Sequence, residues 1–223
     1  MLAFVHDDSI IVEPCSIPKS WKNPITGTIY INFSNLSLEE MYDMGWKNVD
    51  DSEPDHNPMF ESVEYGEWYY DKDNDIVKRD HTINNLPFDV ALYNAYSVLM
   101  KNRVKYETSG FIYNFNNMDL VVQTDAESQA KLASTRIAAE NGTRSDSDIW
   151  KFKQLNGTNF ITQVPNSTII DISNFVFRKI QDSYNLVGQL SSNMLATGDT
   201  ATLKTQIENG TINLDPWNME NKS

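Results

Sequence analysis

Cysteine is almost missing from this chain of 223 residues: Cys15 stands alone. No disulfide can form within the chain, and no thiolate cluster can hold a metal. Cys15 sits between Pro14 and Pro18, which reads as a proline-rich loop, and no neighbouring His or basic residue would activate it. It reads as a structural thiol. Long apolar runs are missing too. Phe175-Val176-Phe177 is among the longest, far short of the roughly 20 residues that a bilayer span needs, so no membrane insertion is expected. The opening MLAFVHDDSIIVEP has no basic region and meets Asp7-Asp8 at once, unlike a secretory signal; synthesis and release in the cytoplasm is the expectation. Positive charge is scarce, with 18 Lys and Arg against 31 Asp and Glu and a net charge of −13. The basic residues are scattered, Lys78-Arg79 being the densest pair, and such a surface repels a phosphate backbone. Nucleic acid is therefore not an expected partner.

The usual marks of chemistry are also wanting. His6, His56 and His81 lie far apart with no metal-ligand spacing and read as unrelated surface or turn residues. There is no glycine-rich phosphate loop and no Gly-x-Ser-x-Gly elbow. Asp71-x-Asp73-x-Asp75 begins like a calcium loop, but Ile76 and Thr82 stand where that loop needs Gly and Glu. A solvated hairpin turn is the better reading. Adjacent carboxylates such as Glu39-Glu40 carry little information in so acidic a chain. No catalytic, cofactor-binding or metal-binding residue is assigned, no cofactor is expected, and the chain is expected not to be an enzyme.

What is present is a globular composition, 40% hydrophobic and 11% aromatic. Apolar pieces at 2–5 and 10–12 flank a turn-like His6-Asp7-Asp8-Ser9 and predict a hairpin. Residues 28–33 alternate and predict a strand. Ser37 with Glu40 forms a capping-box pattern for a short helix that Gly45 closes. Residues 50–58, acidic and proline-containing, read as a loop. Strands at 60–70 and 76–80 follow, joined by the turn 71–75. From Pro87 to 107 the period becomes helical, with Leu92, Ala95, Tyr96, Leu99, Met100 and Arg103 on one stripe. Strands at 111–115 and 120–123 surround Asn116-Asn117. A helix capped by Thr124 or Asp125 runs to 140, and strands at 150–154 and 159–164 surround Asn156-Gly157. A long helix spans 169–195 with Ile172, Phe175, Val176, Ile180, Tyr184 and Val187 on its stripe. A short one covers 199–208, and a loose acidic end follows.

This pattern predicts an α+β fold in which short antiparallel β-hairpins alternate with capped helices. A small N-terminal β-rich module occupies 1–85, a connecting helix 86–110, a ββαββα-like domain 111–210 and a polar C-terminal tail 211–223. The five tryptophans read as core or interface anchors. A carbohydrate-binding surface built from Trp46, Trp68, Tyr69 and Tyr70 is a more distant alternative.

Spaced residues in the second half carry a resemblance. Arg103, Tyr106 and Glu107 lead to Gly110, Phe111, Tyr113 and Leu120. Thr124-Asp125-Ala126-Glu127-Ser128-Gln129 then opens a helix, Trp150 starts a strand, Asn156-Gly157 makes a turn, and Phe175 and Tyr184 lie on the long helix. Over 103–207 the chain resembles DUF4376, a bacteriophage tail-associated domain family. Pro18, Trp21, Asn23 and Met44-Gly45-Trp46 resemble segments that precede such domains. Where the family pattern has Gly, this chain has Asn116, which also tolerates positive φ. The resemblance implies a non-enzymatic structural protein of the tail fibre or baseplate, working in host attachment and located in the virion tail. Its partners would be other tail or fibre proteins and further copies of itself in a symmetric homo-oligomer. A fibre-assembly chaperone absent from the finished particle is the alternative. The long helix would serve either to pack against symmetry mates or simply to fill the core.

Overall fold

The structure, a computed structural model, describes residues 1–218; the last part of the tail expected at 211–223 lies outside the described residues. The chain forms two compact units, Met1–Leu86 and Pro87–Ser223, and the fold is α+β.

In the first unit, β1 (Leu2–His6) and β2 (Ser9–Cys15) form the opening hairpin. Asp7 and Asp8 both take positive φ in its turn. Cys15 is the last residue of β2 and packs, half-buried, against the aromatic core, not in a loop. Pro14 is compatible with a strand here because β2 lies at a sheet edge. β3 (Trp21–Lys22) and β4 (Ile29–Tyr30) form a two-residue ladder. The strand expected at 28–33 stops there, because Asn32 turns left-handed at φ 59° and starts a 3-10 turn, Phe33–Asn35, that buries Phe33 completely.

Helix α1 (Leu38–Asp43) begins on the expected capping box: the Glu40 amide donates to Ser37 Oγ at 3.2 Å, and the Ser37 amide donates to Glu40 Oε2 at 2.8 Å. Gly45 follows at φ 100°, and a Cβ there would lie 2.8 Å from the Val5 carbonyl oxygen. Only glycine fits. β5 (Trp46–Asp50) was not foreseen. Its WKNVD alternates weakly, yet it joins β1 antiparallel and β7 parallel. β6 (Glu61–Asp71) and β7 (Ile76–Asn85) form the long hairpin. The sheet order is β2-β1-β5-β7-β6.

β1 is buried on both faces, which is why LAFV reads as a continuous apolar run. Leu2 and Phe4 join Trp21, Phe33, Met41 and Trp46 on one side. Ala3 and Val5 join Val77 on the other.

The second unit begins with α2 (Phe88–Thr108), which has Pro87 at its N-cap. β8 (Phe111–Phe115) and β9 (Met118–Val122) turn through Asn116 and Asn117, both at positive φ. α3 (Ala126–Glu140) is capped by Asp125, and β10 (Ile149–Gln154) pairs with β11 (Asn159–Gln163). α4 (Asn166–Ala196) is a single helix of 31 residues, followed by α5 (Thr200–Glu208). The sheet order is β11-β10-β9-β8, all antiparallel.

Phe115, Leu120, Val122 and Phe152 from the sheet meet Leu132 of α3 and Ile169, Ile172 and Val176 of α4 in one core. α2 packs against α4. On the long helix the expected stripe divides: Ile172, Val176 and Val187 are buried, while Phe175 and Tyr184 are half exposed. The segment after α5 is not loose where it is described. Ile212 and Leu214 are buried, and Asn102 of α2 donates to the Leu214 carbonyl at 3.0 Å. Among the described residues no helix is long and apolar enough to cross a membrane.

Candidate functional site

In the first unit the charged and aromatic side chains of β6 and β7 are bound to one another. Arg79 grips Asp51 through two bonds, Nε to Oδ1 at 2.7 Å and Nη2 to Oδ2 at 2.8 Å. This bidentate bond holds the Asp51 carboxyl below the usual range. His81 is therefore no isolated surface residue. Its Nε2 lies 3.2 Å from the same carboxylate, and its side chain is nearly buried. The Arg79 guanidinium also lies over Tyr65 and Trp68, at 4.0 and 4.5 Å from their ring centroids. Tyr65 in turn donates to Glu53 at 3.0 Å.

The Asp71–Asp75 turn does not gather its carboxylates toward a common point. Asp71 pairs with Lys78 and accepts from Asn74 Nδ2 at 2.8 Å, which pulls its pKa down to about 2. Asp75 pairs with Lys47 at 2.6 Å and accepts from the Tyr70 hydroxyl, whose pKa is pushed up to about 12, chiefly by that bond. Among the described residues no group of three or more His, Cys, Asp or Glu is placed to hold a metal ion. The aromatic surface imagined from Trp46, Trp68, Tyr69 and Tyr70 does not assemble. Trp46 is wholly buried, Trp68 faces Arg79, and Tyr69 and Tyr70 lie under Lys78 and Lys47.

The second unit keeps charge inside. Between α2 and α4, Arg103 and Glu107 face each other at 3.4 Å with side chains nearly buried. Glu107 accepts a hydrogen bond from Ser183, and the Arg103 guanidinium covers Tyr184 at 4.0 Å. Arg103 Nε and Nη1 have no hydrogen-bond acceptor. Lys179 donates to the Gly110 carbonyl at 2.8 Å and lies 4.3 Å from the Tyr106 ring centroid. Burial holds its pKa below the usual lysine value.

Next to this seam, Tyr106 stacks on Trp217, with centroids 5.6 Å apart and planes at 17°. The two rings form part of an open trough of about 370 Å³, with Asn102, Lys105, Ser109 and Asp215 around it. Sequence reading missed this trough, because Asp215 and Trp217 fall in the stretch read as a polar tail. Asp215-Pro216-Trp217 was the available signal, since a tryptophan seldom stands in a tail that does no packing. An apolar groove of about 350 Å³ lies between α2 and α4, lined by Leu92, Tyr93, Tyr96, Met194 and Leu195.

The residues that carried the resemblance hold the second unit's fold at one corner. Gly110 has φ 77°, and a Cβ there would meet the Val122 carbonyl oxygen at 2.8 Å. Its amide donates to the buried Thr124 hydroxyl at 2.9 Å. Asp125 accepts from the Ser128 amide and hydroxyl at 3.0 and 2.7 Å, and Gln129 Nε2 donates back to the Thr124 carbonyl at 2.7 Å. Comparison with protein-family models, with curated proteins and with solved structures returns no match.

Proposed function

We propose that this chain is a non-enzymatic structural component of a bacteriophage tail, placed at the fibre or baseplate and serving host attachment. The observation that carries the reading is the use made of the residues through which 103–207 resembles the tail-associated family. Gly110, Thr124, Asp125, Ser128 and Gln129 bind one another into the junction of α2, β8, β9 and α3. They define an architecture, as a recurring structural module requires. Contact is the work such a module does, and the surface suits contact: Tyr93, Phe177 and Leu195 are each more than 60% exposed on α2 and α4. The partners would be neighbouring tail or fibre proteins and further copies of the chain in a symmetric ring or fibre.

Mass spectrometry of gradient-banded particles, with copy number from labelled peptides, tests the reading. A reproducible count in a small symmetric multiple is expected. Absence from particles combined with abundance in infected lysate would overturn it and leave a fibre-assembly chaperone, with the α2–α4 groove as its holding surface.

A further inference from the structure

We infer that the trough beside Tyr106 and Trp217 is a binding subsite for a neutral carbohydrate, with the Trp217 ring, backed by Tyr106, as its stacking wall. Its volume of about 370 Å³ lies at the small end of the roughly 300–1,000 Å³ range of ligand sites, enough for one or two sugar rings. The wall is fixed before any ligand arrives. Lys179, anchored on the Gly110 carbonyl, lies against Tyr106. The returning segment that carries Trp217 is tied down by buried Ile212 and Leu214 and by the bond from Asn102. A prearranged wall spares a ligand the cost of ordering it.

The polar rim sets the chemistry. In the first unit Asp51, beside β7, and Asp71 and Asp75, in the β6–β7 hairpin, each have a cation. In the trough, among the described residues, the side chains of Lys105 and Asp215 have no hydrogen-bond or ion-pair partner, and Asn102 commits its amide nitrogen to Leu214 while leaving its carbonyl oxygen. With Ser109 and Asn218 also on the rim, the trough offers both donors and acceptors, and the charges of Lys105 and Asp215 cancel. A ring hydroxyl can donate to Asp215 and accept from Lys105 at once, which is what a sugar supplies. A phosphorylated ligand would meet Asp215 and a chain of net charge −13. A purely apolar ligand would strip water from Asn102, Ser109 and Asp215 and return no bond. The apolar CH face of a pyranose fits against the aromatic wall while its hydroxyls reach the rim.

Saturation-transfer difference NMR tests this on the full chain, with the methyl glycosides of glucose, galactose, mannose and N-acetylglucosamine as probes. Transfer onto the ring CH protons of at least one glycoside is expected. Trp217→Ala should weaken the affinity about tenfold or more, and Asp215→Asn should weaken it by a smaller factor, with thermal unfolding of both close to that of the parent chain. Should Trp217→Ala unfold, Asp215→Asn alone decides. No transfer to any of the four, or transfer unchanged in the folded variants, would overturn the assignment. The inference stands on the trough and does not need the tail reading. A chain counted in particles that binds no glycoside sinks this proposal only, and a glycoside-binding chain absent from particles sinks the other only.

Discussion

The first unit gathers Phe4, Trp21, Phe33 and Trp46 with ring centroids 4.9–6.0 Å apart and ties its surface carboxylates to its own lysines and arginine. The second unit fills its core mainly with aliphatic side chains between a sheet and two helices, and keeps Arg103 and Lys179 largely inside. The difference follows from what each has to bury against. A mixed sheet with only a six-residue helix has little helical surface to cover it, and aromatic rings bring 150–250 Å² each. Helices such as α3 and α4 close a core with Leu, Ile and Val, but the 3.6-residue period of α2 and α4 brings polar stems into the seam between them. The first unit thus ties its charge down on the outside, whereas the second, besides exposed pairs such as Lys131–Glu127 and Arg136–Glu140, also carries charge inside.

That contrast can be broken most sharply at the cores. Trp46→Ala and Phe152→Ala should each cost about 3–5 kcal/mol, read by denaturant unfolding. In hydrogen exchange the first should lower protection in β1 and β5, the second in β9 and β10. Equal loss everywhere from either variant would contradict the separate cores. Next comes the buried seam. Glu107→Gln leaves Arg103 inside without its counter-ion and should cost about 3 kcal/mol. Adding Arg103→Met should restore most of that loss, and a double variant as unstable as the single one would show that the pair does not act as a pair. Ser37→Ala removes the α1 cap and should cost about 1 kcal/mol, measured as a shift of the urea midpoint.

The smallest effect is that of acid on the first unit. Asp71, at about 2, and Asp51 have folded pKa values below their unfolded ones. Their contribution is fully present above the ordinary carboxylate pKa of about 3.9, and it fades as pH falls through the folded values. Protection of β7 amides relative to the unfolded chain should fall as pH drops from about 4 to 2, and less so in high salt, where exposed pairs are already screened. Protection indifferent to both would remove the Lys78 and Arg79 pairs from the account of this unit.

Much of this was legible from the residues. The capping box at Ser37, the turn at Asn116-Asn117 and the cap at Asp125 act locally, so a few neighbouring residues determine them. β5 was not legible, because Trp46–Asp50 becomes a strand only through partners at 2–4 and 76–78. The shortened strand at 28–33 depended on Asn32 turning left-handed, a choice enforced by burial of Phe33. The trough escaped for a similar reason. Tyr106 and Trp217 are 111 positions apart, and no pattern within one window relates them.

The parallel pairing of β5 with β7 has a consequence during synthesis. β1, β2 and β5 can pair as soon as residue 50 has emerged, but the far edge of β5 finds its partners only at Ile76, Val77 and Lys78. For the time taken to add some 25 residues, on the order of seconds at ribosomal speed, a nascent chain presents an open strand edge beside a partly formed aromatic core. Asn48 and Asp50, exposed on that edge strand, put polar and charged side chains there during the interval in which another nascent chain could pair with it.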